Sequence, residues 1–165
     1  MKIYKLFFLL SLVVIISSCG SEKNNSYDNV DQLVSKAQTG IAKVTVAELK
    51  EMIDHKNDYK IIDCREIEEF TVGHIPEAVN IPRGLLEFSN KLSNRRETIF
   101  IYSLTNDRSS LACRSLKLLK YNKVFLIDGG WQEWNNKFPE IIEIGVGESG
   151  SNPAPKVEES GGCGG

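Results

Sequence analysis

Residues 98–110 read TIFIYSLTNDRSS. An apolar, β-branched run ends at Tyr102 in polar and small residues, and a helical pattern begins at Ser109. This order predicts a buried strand, a tight loop and the N-terminus of a helix. Several backbone N–H groups of such a loop point at one spot, and the helix dipole adds positive potential there. We therefore expect an anion-binding loop that consists of Ser103, Leu104, Thr105, Asn106, Asp107 and Arg108.

The chain on both sides of this segment alternates short apolar strands with helical patterns. Strands are predicted at 59–64, at the end of a turn over 73–82, at 98–102 and at 124–127. Helices are predicted at 46–55, 66–70, 84–92, 109–121 and 131–137. This alternation is typical of a parallel sheet with helices on both faces. The sequence therefore predicts an α/β fold with a central parallel sheet of about five short strands.

The start of the first of these helices has a clear local signature. Thr45 is predicted as the N-cap, and Glu48, three residues later, as its partner in a capping box. Val44 and Leu49 are placed for a hydrophobic staple across the same helix start. Ordered structure is therefore expected from about Lys43 onward.

Residues 1–19 are typical of an export signal. Lys2 and Lys5 give a positive start, and the apolar run Leu6–Ile16 is short for a membrane span. The run ends in Ile16-Ser17-Ser18-Cys19, which resembles the lipobox of bacterial lipoproteins. The resemblance implies removal of residues 1–18 and lipidation of Cys19, and hence a lipid anchor in a membrane of the bacterial cell envelope, with the domain on the extracytoplasmic side. An ordinary signal peptide with an incidental Cys19 is the alternative.

Two further segments have compositions unlike that of a folded domain. Residues 19–42 are rich in Ser, Asn, Asp, Lys and Gln, which predicts a flexible tether with one short helix near 28–38. From about Gly145 the composition shifts to Gly, Ser, Glu and Pro, and a disordered tail is predicted over residues 141–165. The folded domain is accordingly expected at residues 43–140.

Composition narrows the range of partners. The chain of 165 residues has a formal net charge of −2, and its two Trp and seven Phe are not interleaved with Lys or Arg. These features argue against a nucleic-acid partner. The expected partners are the membrane and a small anion in the loop, with any protein partner unidentified. We expect no cofactor and no metal site.

Several motifs together resemble the rhodanese-like domain family. Residues 61–65 read IIDCR, 68–70 read EEF, 73–82 read GHIPEAVNIP and 128–134 read DGGWQEW. They occur in the order and with the spacing of that family, and the resemblance covers residues 43–138. Glu77 stands where the family usually has glycine. The resemblance implies a rhodanese-like fold.

Structural roles are expected for five residues of these motifs. Asp63 and Arg65 are expected to brace a strand end through hydrogen bonds, and His74 to fix the turn that follows it. Gly129 and Gly130 are expected to supply positive φ and close packing.

The resemblance also reveals a departure at Ser103. In active family members the loop begins with a cysteine, which carries sulfane sulfur as a persulfide that the loop amides stabilise. Here the six-residue length from Ser103 to Arg108 is kept, but a hydroxyl cannot store sulfane sulfur and is scarcely ionised near neutral pH. Asn106 replaces the usual glycine, and Asp107 adds negative charge. Sulfur transfer through Ser103 is therefore not expected.

Three other cysteines are candidates for the missing nucleophile. Cys64 ends a predicted strand, and Cys113 lies among apolar residues of a predicted helix, where a buried thiol is the expected role. Cys163 lies between glycines in the predicted tail, where it is available for mixed disulfides, metal capture or sulfur transfer. An incidental thiol is the alternative for Cys163.

Three functions remain open at this point. The leading hypothesis is a membrane-tethered rhodanese-homology module without sulfurtransferase activity, which acts in binding or as a scaffold. The second is a divergent sulfurtransferase or thiol-exchange protein that uses Cys163, or less readily Cys64 or Cys113. The third is a sensor that binds an anion in the loop without turnover.

Overall fold

The structure is a computed structural model and describes residues 26–55 and 58–145. The strands form one sheet and are β1 (Ala42–Val44), β2 (Lys60–Asp63), β3 (Ala78–Asn80), β4 (Ile99–Tyr102) and β5 (Val124–Ile127). Their order across the sheet is β1-β5-β4-β2-β3, and every pairing is parallel. The predicted α/β fold with about five parallel strands is confirmed.

The helices that the structure describes are α1 (Val30–Gln38), α2 (Val46–Asp54), α3 (Ile67–Val72), α4 (Asn106–Leu118), α5 (Gly130–Lys137) and a 3₁₀ helix (Arg83–Phe88). None of these helices is long and apolar enough to cross a membrane. The capping box of α2 is present as predicted: Glu48 N–H donates to Thr45 Oγ1 at 3.2 Å, and Thr45 N–H donates to Glu48 Oε2 at 2.7 Å.

Strand β4 lies in the middle of the sheet and separates two apolar clusters. On one face, Ile99 and Ile101 belong to a cluster with side chains of α4. On the other face, Phe100 and Tyr102 belong to a cluster with side chains of α2, α3 and α5. Because successive strand side chains point to opposite faces, a strand covered on both faces is apolar throughout. This burial fixes the position of the residues that follow β4.

Helix α1 lies in the segment that the sequence predicts as a tether with a short helix. Ala37 is buried, and Arg114 of α4 donates to the Lys36 carbonyl at 3.4 Å. Ala42 is already paired in β1. Ordered structure therefore starts before the expected boundary at residue 43, because α4 covers a short apolar face of α1 that the polar composition conceals.

Residues 141–145, expected at the start of a disordered tail, pack on the domain. His74 and Glu143 exchange backbone hydrogen bonds of 2.9 and 3.0 Å, and Gly145 N–H donates to the Thr71 carbonyl at 3.0 Å. Composition could not predict this pairing because it joins segments far apart in the chain. The predictions for the signal peptide, Cys19, Cys163 and the rest of the tail lie outside the described residues.

Two predicted helices differ from those observed. A helix is expected at 84–92, and the structure has a shorter 3₁₀ helix at Arg83–Phe88. Helix α4 begins at Asn106 rather than at Ser109. Asn106, Asp107 and Arg108 therefore form the first turn of α4 instead of loop. The polar residues that indicated a loop are accommodated in the helix, where the Ser109 hydroxyl donates to the Thr105 carbonyl at 3.2 Å.

Candidate functional site

The carboxyl ends of the parallel strands meet at one edge of the sheet, which we call the carboxyl edge. Ser103 directly follows β4, and Cys64 directly follows β2. Cys64 N–H donates to the Tyr102 carbonyl at 2.8 Å, which continues the pairing of these strands. Ligand sites of open parallel sheets lie at this edge. The structure thus places the predicted loop where a site is expected.

The Ser103 side chain is enclosed by polar partners. Ser103 is 1% exposed, and its hydroxyl donates to the Thr105 carbonyl at 2.7 Å. The same oxygen accepts the N–H of Ser109 at 3.1 Å and lies 3.2 Å from the Ser109 hydroxyl. None of these groups is a base that could take the hydroxyl proton, which a nucleophilic serine requires. The hydroxyl therefore connects the loop to the start of α4 through these hydrogen bonds.

The backbone of Ser103 is held by the start of α5. Trp131 N–H donates to the Ser103 carbonyl at 2.8 Å. Gly130 has a φ of 58°, and a Cβ at this position would lie 2.4 Å from the same carbonyl oxygen. Gly129 also has a positive φ, of 80°. Only glycine allows so close an approach, so Gly130 is part of the loop's support.

Arg108 is engaged by a carboxylate. Its two terminal nitrogens each lie 2.8 Å from an oxygen of Glu69, and Glu66 lies 4.0 Å away. The hydrogen bonds from Arg108 hold the pKa of Glu69 below its usual range, and those to Glu69 raise the pKa of Arg108. An anion at the loop must compete with Glu69 for this guanidinium.

The mouth of the loop is exposed and carries a negative charge. Leu104, Thr105 and Asp107 are exposed, and Asp107 Oδ2 accepts the Thr105 hydroxyl at 3.3 Å. The first N–H groups of a helix have no partners within the helix, so the start of α4 still offers donors to an anion. The charge of Asp107 weakens that attraction.

Asn106 connects α4 to the end of β5. Its Nδ2 donates to Asp128 Oδ1 at 2.8 Å, and its Oδ1 accepts the Gly129 N–H at 2.9 Å. Lys43 donates to the same Asp128 oxygen at 3.0 Å, which lowers the pKa of Asp128. A cleft of about 360 Å³ opens beside this network. Its lining consists of Thr45, Val46, Asn106, Asp128, Gly129, Glu133 and Lys137.

Asp63 and Arg65 form a buried ion pair behind the loop. Arg65 Nη2 lies 2.6 Å from Asp63 Oδ2 and also donates to the Gly73 carbonyl at 2.8 Å. Asn80 Nδ2 donates to the Asp63 and Arg65 carbonyls at 3.2 and 2.9 Å. The Arg65 guanidinium lies 4.6 Å from the centre of the Trp131 ring. These contacts are those of a structural brace between β2, β3 and the turn at Gly73.

His74 is buried away from the loop. Its ring stacks on Phe70 with the ring centres 3.7 Å apart, and Nδ1 lies 3.0 Å from the Phe70 carbonyl. Nε2 lies 3.4 Å from Glu143 Oε2. The polar partners of His74 belong to α3 and the C-terminal segment, so the structure does not bring this histidine to Ser103.

Cys64 and Cys113 are free thiols in the apolar cluster beneath α4. Both are 0% exposed. Burial raises the pKa of Cys64 well above its usual range and raises that of Cys113 to about 12. Thiolates are the reactive form of cysteine, so neither side chain is suited to nucleophilic attack. Among the described residues there is also no group of three or more His, Cys, Asp or Glu that could hold a metal ion.

Glu69 and Ser109 belong to the site and were not assigned to it from the sequence. Glu69 lies 39 residues from Arg108 in the chain, and no local pattern pairs the two. Ser109 directly follows the predicted loop, six residues after Ser103, and this proximity in the chain was the available signal for their contact.

Comparison with known families now identifies the class of protein. The family described as "Rhodanese-like domain" matches residues 45–137, which is more than half of the chain. The chain belongs to the rhodanese-like domain family.

Two curated relatives have names that refer to sulfur chemistry. The "Putative sulfur carrier protein YrkF" of Bacillus subtilis is 31% identical over 103 residues, which are 62% of this chain and 56% of that protein. The "Adenylyltransferase and sulfurtransferase uba4" of Ogataea parapolymorpha is 28% identical over 85 residues, which are 51% of this chain and 22% of that protein. The chain thus matches about half of the first protein and about a fifth of the second.

Solved structures share the fold. A rhodanese-like domain protein from Staphylococcus aureus has a TM-score of 0.58 and 25% identity, covering 64% of this chain and 100% of its own. A thiosulfate sulfurtransferase from Pseudomonas aeruginosa has a TM-score of 0.60 at 20% identity, covering 69% of this chain and 22% of its own. The second likeness concerns the fold alone.

Proposed function

We propose that this chain is a rhodanese-homology module that does not transfer sulfur through its β4–α4 loop and that works by binding. The observation that carries the proposal is the environment of Ser103. Its buried hydroxyl has hydrogen-bond partners but no base, and the resemblance to active family members implies that this position needs a sulfur atom. Cys64 and Cys113 do not replace it, because burial keeps both thiols protonated.

The loop is proposed to bind a protein partner or a small anion without turnover. The exposed side chains at its mouth support contact with a partner, and the N-terminus of α4 supports an anion. A rise in melting temperature with sulfate or phosphate would favour the anion.

A lipid anchor completes the proposal. It is supported by the charged start, the apolar run and the lipobox-like residues that end at Cys19. The module would then be held at a membrane of the bacterial cell envelope, on its extracytoplasmic side.

Persulfide formation tests the role of Ser103. We expect the native protein to gain no sulfur mass after thiosulfate treatment and to show no sulfurtransferase activity with cyanide. Ser103→Cys should gain one sulfur atom at the new thiol if the loop amides stabilise the persulfide, because the thiol is ionisable where the hydroxyl is not. Ser110→Cys, one turn further along α4, is the matched control and should stay unmodified.

A divergent sulfur carrier is the alternative, supported by the name of the Bacillus subtilis relative. Since Cys64 and Cys113 are buried, the sequence offers Cys163 as the carrier in this case. A native activity that survives Ser103→Ala and disappears in Cys163→Ser would overturn the binding proposal and establish the alternative.

A further inference from the structure

The edge of the sheet opposite the candidate site brings together two loops that are distant in sequence. In a parallel sheet the segments that enter neighbouring strands lie side by side, and β4 pairs with β5. The Tyr121 hydroxyl donates to the Leu92 carbonyl, and Ile99 N–H donates to the Lys123 carbonyl at 2.8 Å. The loop before β4 and the turn before β5 are therefore in contact.

Four cations lie on these two loops and define what we call the basic edge: Arg95, Arg96, Lys120 and Lys123. All four are exposed. In the described part of the chain, none of them forms an ion pair. The nearby carboxylate of Glu97 forms an ion pair with Lys60, with Glu97 Oε2 3.0 Å from Lys60 Nζ. The molecule thus has a local excess of positive charge although its formal net charge is −2.

Lys120 occupies a backbone position that favours glycine. Its φ is 69°, and it follows the last turn of α4 in a Schellman motif. In this motif Lys120 N–H donates to the Lys117 carbonyl at 3.1 Å and Tyr121 N–H to the Leu116 carbonyl at 3.0 Å. A left-handed conformation is unfavourable for a residue with a Cβ, so replacement of Lys120 by glycine removes the charge and relieves the backbone.

Exposed leucines adjoin the cations at the end of α4. Leu118 is 73% exposed and Leu119 is 38% exposed. A combination of basic and large apolar side chains on one surface is typical of segments that lie at the interface of an anionic bilayer. Tyr121 is 7% exposed and turned into the core, so the surface lacks the aromatic platform that single-stranded nucleic acid uses.

We propose that the basic edge docks on the anionic phospholipid headgroups of a bilayer, with Leu118 at the boundary between headgroups and acyl chains. The choice of a bilayer rests in part on the lipid anchor of the proposed function, and the docking itself is a separate property. Docking would turn the carboxyl edge, with the Ser103 loop, away from the membrane toward partners in the surrounding compartment.

Fluorescence quenching tests the docking in the full chain. Leu118→Trp is reconstituted into vesicles of brominated phosphatidylcholine, alone or with an equal amount of phosphatidylglycerol, and the signal of the native tryptophans is subtracted. We expect stronger quenching in the anionic vesicles, and loss of the difference at high salt because the interaction is electrostatic. Val72→Trp, at a 77% exposed position of α3 outside both the Ser103 loop and the basic edge, is the control and should not respond to the anionic lipid.

Charge variants in the Leu118→Trp background separate docking from folding. Lys120→Gly with Lys123→Gln should lower the docked-to-free ratio about 25-fold, since each cation near an anionic surface contributes about fivefold. Lys50→Gln with Lys137→Gln has the same net charge and should retain docking. A melting temperature of the variant at or above that of the native protein would show that Lys120→Gly leaves the fold intact.

Equal quenching in both vesicle types, or quenching that persists in the Lys120→Gly, Lys123→Gln variant, would overturn the proposal. A shift of duplex DNA by the native chain that this variant abolishes, without quenching by anionic vesicles, would assign the basic edge to nucleic acid instead. A failure of the Cys19 anchor would not remove the difference between the two vesicle types, because unanchored protein with a basic edge would still be recruited to the anionic vesicles alone.

Discussion

Arg108 is the residue whose engagement most limits what the candidate site can bind. In a free loop its guanidinium would meet an incoming anion, but both terminal nitrogens are already paired with Glu69 at 2.8 Å. A bidentate ion pair of this geometry is stronger than a single contact between two point charges. The site is thus closed on one side by its own carboxylate, and an anion at the loop must displace Glu69 or use the N–H groups at the start of α4.

The Glu69–Arg108 pair predicts a pH dependence of stability. Arg108 lowers the pKa of Glu69, so the pair stabilises the folded state above the carboxylate's usual titration range and this contribution is lost as the pH falls through the depressed value. Because Glu69 is about a third exposed, the expected contribution is about 1 kcal/mol. Denaturant unfolding at pH 7 and in steps down to acid should show Glu69→Gln less stable at pH 7 and no different at low pH.

Glu68→Gln provides the control for this prediction. Glu68 is exposed on the same helix and has no ion-pair partner among the described residues. Its substitution should leave the pH profile unchanged. A profile for Glu69→Gln that matches the native one would contradict the stabilising role of the pair.

Among the secondary-structure elements, α1 is a helix that packs on the domain but lies outside the residues that match the family. The match begins at residue 45, whereas α1 covers Val30–Gln38 and packs on α4. Ala37 is buried in this contact, and Lys117 of α4 donates to the Gly40 carbonyl at 3.1 Å. α1 therefore closes the outer face of α4.

Removal of α1 is predicted to destabilise the domain. A chain that begins at Ile41 keeps β1 but loses the burial of Ala37 and the hydrogen bonds from Arg114 and Lys117 of α4 to this segment, at a cost of about 2 kcal/mol. The measurement is the free energy of unfolding in denaturant, compared with a chain that begins at Ser26. Equal stability of the two chains would show that α1 contributes nothing to the fold.

On the scale of the whole molecule, the two edges of the sheet have different chemistry. The carboxyl edge holds the Ser103 loop with Glu69, Asp107 and Asp128 nearby, whereas the opposite edge of the sheet holds the four exposed cations of the basic edge. A lipid anchor at Cys19 would restrict the protein to a surface, and the basic edge would then set its orientation. Anchor and orientation are separable, and each has its own test.

The anchor is tested by Cys19→Ala in the full chain expressed in a bacterium. We expect loss of incorporated fatty acid label and accumulation of the uncut precursor, because the thiol that receives the lipid is absent. Cys163→Ala removes a thiol outside the lipobox and should retain both label and processing. Unchanged labelling of Cys19→Ala would show that the lipobox interpretation is wrong.

The sequence by itself determined the features that depend on neighbours along the chain. Local patterns predicted three features: the capping box of Thr45 and Glu48, the apolar runs of β2, β4 and β5, and the alternation of strands and helices. They could be predicted because helix and strand periods repeat within a few residues. From these patterns and the motifs, the parallel α/β fold and the position of the Ser103 loop followed.

Only the tertiary structure decided the features that depend on distant pairings. The Glu69–Arg108 pair, the docking of α1 on α4 and the assembly of the basic edge from two loops join residues far apart in the chain. Glu77, which stands where glycine is usual, is a local feature that only the structure showed: its φ is 63°, in a turn closed by Ala78 N–H to the Ile75 carbonyl at 3.1 Å, and a glutamate does not indicate a positive φ. Local patterns specify elements, whereas packing and sheet order specify which side chains meet.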